Sequence, residues 1–344
     1  MKHPLALALA LALAATSIHA QAQDATPVAD QAQQSNPFFS ESPLPLHYPQ
    51  FDRIQDSDFA PAFDRGMADE LAEIAAIADN PAPATFENTI VAMEKSGRIL
   101  GRATTVFYSL VGADTNDARE KLRADYASKF SAHSDAIRLD PKLFARIKAL
   151  YDGRADAGMD AQDTRLVEKY YEDFVRAGAN LSDADKARLK EMNAELAKLG
   201  TTFSQNVLAE VNDSAVVVDT RAELAGLSDA AITAAAEAAK KRGLDGKFVI
   251  ALQNTTGQPP ETDLQDRAVR QRIHEASVAR GSRGNQWDNT ALVSRIMHLR
   301  LERANMLGYP DYASFVLADE TAGTPKAVND MLGRLAPAAP RKPP

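Results

Sequence analysis

The chain has 344 residues, with 39 Lys and Arg against 47 Asp and Glu, a net charge of -8 and no Cys. A zero Cys count excludes disulfides, thiol nucleophiles and thiolate-bound zinc. Basic residues are scattered among acidic ones with no stripe for a polyanion to follow, which argues against nucleic acid.

At the N-terminus, Lys2 and His3 precede an apolar Leu/Ala run over residues 5–15, too short for a membrane helix of roughly 20 residues. Ala20-Gln21-Ala22 fits an A-x-A cleavage site. Residues 1–22 are therefore expected to be a secretory signal, with cleavage after Ala20 as the alternative to Ala22. Its loss takes Lys2 with it and gives a net charge of -8 - 1 = -9. The expected location is the periplasm, and no later apolar run is long enough to span a membrane.

Residues 23–35 are rich in Gln, Ala and Asp and read as a disordered linker. Asn36-Pro37-Phe38-Phe39 opens a segment in which Pro43, Pro45 and Pro49 forbid helix, so a strap along the protein body is expected. From Asp58 the period becomes helical, with Phe63, Met67, Leu71, Ile74 and Ala78 on one face and a stop at Asn80-Pro81. Thr85 is a good N-cap for a helix carrying Ile90, Met93, Leu100, Phe107 and Leu110 inward. Asp117 and Glu120 suggest a capping box for a helix with Leu122, Tyr126, Phe130, His133 and Ile137 on one side. Leu166, Tyr170, Phe174 and Ala177 mark another.

Ser182 and Asp185 open the longest helix. Its Leu189, Met192, Leu196, Leu199 and Phe203 ask for a partner helix along its length. Two short apolar runs, around Val217 and Val249, are the strand candidates, expected side by side in a small β element. Between them Ser228 caps an Ala-rich helix that ends in Lys240, Lys241, Arg242 and Gly243, where cations complement the helix dipole. Helices are then expected over about residues 263–280, 289–307 and 311–319. Thr324 and Pro325 start a last one with Val328, Met331, Leu332 and Leu335 on its face. It runs into a Pro-rich basic stretch, residues 337–344, which reads either as a flexible tail or as a point where a longer natural sequence is interrupted. The fold class is mainly α, more than half helical.

The chemistry is sparse. Of six His, His3 and His19 leave with the signal. His47, His133, His274 and His298 remain, and no two sit four residues apart. The H-E-x-x-H pattern, two zinc ligands on one helical face with a general-base Glu between, is therefore absent. His274-Glu275 begins like it, but position 278 is Val. His133 on an apolar stripe reads as a hydrogen-bonded core residue, and His298 as a helix-surface partner of Glu302. Gly281-Ser282-Arg283-Gly284 has neither the strand before it nor the Lys after it that a phosphate loop needs, and reads as an interhelical turn. There is no G-x-S-x-G elbow and no S-x-x-K. No catalytic, cofactor-binding or metal-binding residue can be assigned.

The scaffold nevertheless resembles a family. Asn36-Pro37-Phe38-Phe39, Asp58-Phe59-Ala60-Pro61-Ala62-Phe63, and above all Pro83-Ala84-Thr85-Phe86-Glu87-Asn88-Thr89-Ile90 with Met93-Glu94-Lys95-Ser96-Gly97 resemble the start of the thimet-oligopeptidase/neurolysin family of zinc peptidases. Phe174-Val175-Arg176-Ala177-Gly178-Ala179, Leu252-Gln253-Asn254-Thr255-Thr256 and Ala304-Asn305-Met306-Leu307-Gly308-Tyr309 look most like its bacterial peptidyl-dipeptidase (dipeptidyl carboxypeptidase) branch. The resemblance covers residues 36 to about 339. It implies that residues 36–336 are the helical N-terminal part of a two-lobed, channel-type peptidase that cleaves C-terminal dipeptides from oligopeptides. Zinc, in that family, is held by an H-E-x-x-H helix and a later Glu, none of which can be placed on this sequence. Two expectations follow: an N-terminal portion that is inactive by itself, or a non-catalytic helical module that binds peptides.

Overall fold

The computed structural model describes residues 36–253 and 258–337. The signal sequence, the linker, Asn254, Thr255 and Thr256 of one family-like segment, and the tail from residue 338 lie outside them. The described residues divide between two compact units, with the boundary between Ile54 and Gln55. In the first, two short 3-10 turns, Pro37–Phe39 and Pro45–His47, punctuate extended chain. Asn36 caps the first by accepting a hydrogen bond from the Phe38 amide. Leu46 and His47 both have positive φ, a left-handed conformation uncommon for side-chain-bearing residues.

The second unit is a helical body, and helices make up 68% of the structure. Helix α1 (Asp56–Ala78) is capped by Gln55, whose amide donates to Asp58. Thr85 caps as expected, accepting from the Asn88 amide, but the segment it starts is a π-helical turn, Phe86–Val91, running into Ala92–Glu94. The single helix anticipated there is broken at Gly97, which has φ +67° and opens α2 (Arg98–Ala113). The Gly97 amide donates to Glu73 at 2.8 Å, and a Cβ on it would lie 2.5 Å from the Glu70 carboxyl carbon. Left-handed geometry and a close carboxylate thus both require glycine there.

Helix α3 (Asp117–Arg138) is capped by Asn116, one residue before the expected Asp117. Glu120 does not close a capping box. It accepts instead from the Thr115 hydroxyl at 2.8 Å. Helix α4 (Pro141–Gly153) went unread in the sequence although Asp140 caps it and Pro141 occupies its first turn. Helices α5 (Ala161–Ala177) and α6 (Asp183–Asp213) follow, the latter 31 residues long and capped by Ser182.

Strands β1 (Val216–Val218) and β2 (Phe248–Ile250) pair antiparallel, Val217 opposite Val249, as the two apolar runs suggested. Helix α7 (Asp229–Lys241), capped by Ser228, joins them. The chain continues as α8 (Arg267–Val278), α9 (Thr290–Met306), α10 (Tyr312–Leu317) and α11 (Pro325–Leu335). No helix among the described residues is long and apolar enough to cross a membrane.

Packing follows the apolar stripes. Phe59, Phe63 and Phe107 are fully buried, and Phe63 meets Phe107 and Phe130 edge-on at 5.2 and 5.0 Å, locking α1 against α2 and α3. Burying each such ring is worth roughly 1.5–3 kcal/mol. Gly66 lets α1 approach α2, since a Cβ there would sit 2.7 Å from the Leu100 amide nitrogen. A second core joins Ile74, Ile90, Leu143, Ile147, Val167 and Phe174. A third gathers Val216, Val218, Ile232, Ile250, Val269 and Ile273 around the sheet. Met331, Leu332 and Leu335 on α11 remain 45%, 50% and 60% exposed.

Candidate functional site

The four remaining histidines are not brought together. His133 bonds through Nε2 to Glu70 Oε2 at 2.7 Å, and its buried Nδ1 has no partner. His274 stands on the exposed side of α8, its side chain 67% accessible, with Glu261 3.9 Å away. His298 is exposed on α9, and the Glu302 expected to pair with it turns instead to Arg188 on α6. His47 contacts only its own segment, through the Ser42 carbonyl. Among the described residues no three His, Asp or Glu form a group able to hold a metal ion. These residues do not fit a catalytic zinc, which needs three protein ligands in tetrahedral array.

The turn at Gly281 joins α8 to α9 and is held by charge. Arg283 grips Glu210 of α6 at 2.5 and 3.0 Å and Asp213 at 2.6 Å, while Asn285 adds 2.9 Å to Glu210. The Arg283 guanidinium holds the Glu210 carboxyl below its ordinary range, against the opposing effect of burial. The Lys240–Arg242 cluster sits where expected, in the last turn and C-cap of α7.

The feature with the character of a binding site was not singled out in the sequence. It is a cavity of about 550 Å³ enclosed by α3, α5, α6, α9 and α10. Asp135 of α3 is buried there at 8% exposure. One carboxylate oxygen accepts from Asn193 of α6 at 2.8 Å, and the other, Oδ2, has no hydrogen-bond partner among the described residues. Asn193 in turn accepts from Arg303 of α9 at 3.3 Å, leaving the Arg303 Nε buried and unpaired. Burial pushes the Asp135 carboxyl above its ordinary range, with Asn193 and nearby cations opposing, and pulls the Arg303 guanidinium down. Arg303 and Arg176 both lie over the ring of Phe315, at 5.3 and 4.7 Å. Arg176 also donates to the Phe315 carbonyl at 2.9 Å, and Asp319 is paired with Lys169. Arg138, one turn beyond Asp135 on α3, also lines the cavity and is one of the cations acting on the Asp135 carboxyl.

Unpaired polar atoms in a concave, several-helix cavity are the ordinary mark of a ligand site, because burying them empty costs free energy. Sequence reading missed them because the three side chains come from separate helices. The Asp135–Asn193 and Asn193–Arg303 pairs span 58 and 110 residues. The only local signal was polar: Asp135 and Arg138 sit three apart, either side of the apolar Ile137.

Comparison with known proteins finds similarity to one group of peptidases. Residues 262–341 match the model of peptidase family M3. Over 304 residues, 88% of this chain and 45% of the relative, the sequence is 41% identical to the dipeptidyl carboxypeptidase of Escherichia coli. It is 40% identical to that of Salmonella typhimurium over 89% of this chain and 45% of the relative. Against oligopeptidase A of Haemophilus influenzae it is 28% identical over 88% of this chain and 44% of the relative. The chain spans just under half the length of these relatives. The chain is thus similar along most of its length to a part of the dipeptidyl carboxypeptidases, and over residues 262–341 to peptidase family M3.

Proposed function

We propose that this chain is the helical portion of an exported zinc peptidyl-dipeptidase, a part that shapes the space in which oligopeptides are held while C-terminal dipeptides are released. The observation carrying this reading is the 41% identity to a dipeptidyl carboxypeptidase across 88% of the chain. Export to the periplasm is proposed on the basic start, apolar run and A-x-A site of residues 1–22. Zinc belongs to the proposal through the family resemblance. Because the described residues offer no metal cluster, the catalytic chemistry is assigned to other residues, and residues 23–344 alone are expected to be inactive.

Two measurements test it. Purified residues 23–344 should hold no stoichiometric zinc and release no dipeptides. One tightly held zinc with chelator-sensitive hydrolysis would overturn the assignment. Conversely, residues 36–337 substituted for the matching segment of the E. coli dipeptidyl carboxypeptidase should give a zinc-dependent enzyme that removes C-terminal dipeptides. A folded, zinc-loaded chimera without that activity favours the other reading, a peptide-binding module, for which the polar cavity around Asp135 is the supporting feature.

A further inference from the structure

We propose that the cavity between α3, α5, α6, α9 and α10 is a binding site for a free dipeptide, its ammonium on the unpartnered oxygen of Asp135 and its carboxylate on Arg138 and Arg303. Three observations lead there. The first is the charge inventory. Asp319 and Asp173 are both engaged by Lys169, and Arg176 is committed to the Phe315 carbonyl and ring. What remains for a ligand is one anionic acceptor, Asp135 Oδ2, reached by no donor among the described residues although Lys190, Arg303 and Arg138 stand near it. With it are two guanidinium groups lining the cavity, Arg138 and Arg303, the latter with an unpaired Nε. That set matches a zwitterion. A simple anion would leave Asp135 unanswered, and a simple cation would face two arginines.

The second is spacing. Asp135 and Arg138 lie three residues apart on one face of α3, which sets their Cβ atoms about 5–6 Å apart. The long Arg138 side chain carries its guanidinium beyond its own Cβ, so the two charged ends can stand further apart than the ammonium and carboxylate of a single amino acid. Two extended residues reach about 7 Å end to end. The third is size and lining. About 550 Å³ holds a ligand of this scale, and Leu189, Leu196, Leu307 and Phe315 give its side chains apolar surface between the charged ends. The site would therefore read the two termini and tolerate varied side chains, as suits a dipeptide released from many different peptides. The choice of dipeptide rests on the peptidyl-dipeptidase reading. The choice of a zwitterion does not.

The experiment is titration calorimetry of residues 23–344 with alanyl-alanine, N-acetyl-alanyl-alanine and alanyl-alaninamide. Saturable one-to-one binding is expected for alanyl-alanine, at least tenfold weaker for each blocked form. Asp135→Asn should abolish the penalty for acetylation, because the ammonium's partner is gone, and Arg138→Gln should reduce the penalty for amidation, because only Arg303 then meets the carboxylate. Equal binding of all three ligands overturns the proposal. So does an absence of saturable binding up to millimolar ligand in a chain that melts cooperatively. The ligand series on the unaltered chain needs no variant to fold. An active chimera with no dipeptide binding would sink this inference and leave the proposed function standing.

Discussion

Glu210 and Asp135 are both buried carboxylates, 1% and 8% exposed, on helices that pack together, yet their surroundings are opposite. Four donors converge on Glu210: two from Arg283, one from Asn285 and the Gly281 amide. Among the described residues only one, from Asn193, reaches Asp135. The first carboxyl is held down by its cation, and the second is driven up by burial. A buried charge that is fully answered ties elements together, here α6 to the turn between α8 and α9. A buried charge answered by half makes the fold less stable, and such sites persist where function requires them. The contrast separates a structural cluster from a candidate binding site.

The comparison breaks most visibly at Glu210. Glu210→Ala leaves Arg283 without its principal partner and should cost about 3 kcal/mol, the lower end for breaking a buried pair because Arg283 keeps some access to water. Urea denaturation of residues 23–344 measures it, and a loss under about 1 kcal/mol would mean that the pair is no better than a surface one. Arg283→Ala should cost a similar amount, with the double variant far from additive.

Much of this fold was legible in the sequence, for local reasons. Thr85, Ser182, Ser228, Asp311 and Thr324 cap helices by bonding to amides two or three residues on, a rule contained in a few adjacent residues. The pairing of β1 with β2 was readable from two isolated β-branched runs. What escaped depends on distant partners. The break at Gly97 is fixed by Glu73 and Glu70 of another helix, and Asn116 takes the cap of α3 while also donating to Asp56, 60 residues away. The cavity escaped entirely, since no spacing rule links Asp135, Asn193 and Arg303.

Acid sharpens the contrast by sign. Glu210 titrates lower in the folded chain than unfolded, so its stabilisation is complete above the ordinary glutamate range, about 4.3, and is lost as pH falls through the depressed folded value. Asp135 titrates higher when folded. Its contribution is favourable at low pH and is lost as pH rises through the raised folded value. Stability measured from pH 7 downward should therefore fall steeply once Glu210 takes up its proton. Glu210→Gln should flatten that limb, and an unchanged limb would assign acid sensitivity to other carboxylates, among them Asp56 beside Arg119.

The smallest effect is the most diagnostic. Asp135→Asn keeps an oxygen to accept from Asn193 and removes a desolvated charge that nearby cations answer only in part. At neutral pH the variant should be more stable than the parent by about 1 kcal/mol, the scale on which relieving functional-site strain is usually felt. The gain should shrink on acidification, because the parent then becomes neutral at the same position. Parallel urea titrations at two pH values measure the difference. The same variant should lose its response to the free ammonium of a dipeptide, so a gain in stability and a loss of binding would come from one substitution. A variant destabilised at neutral pH would show that an unseen partner already satisfies Asp135, and would move it to the side of Glu210.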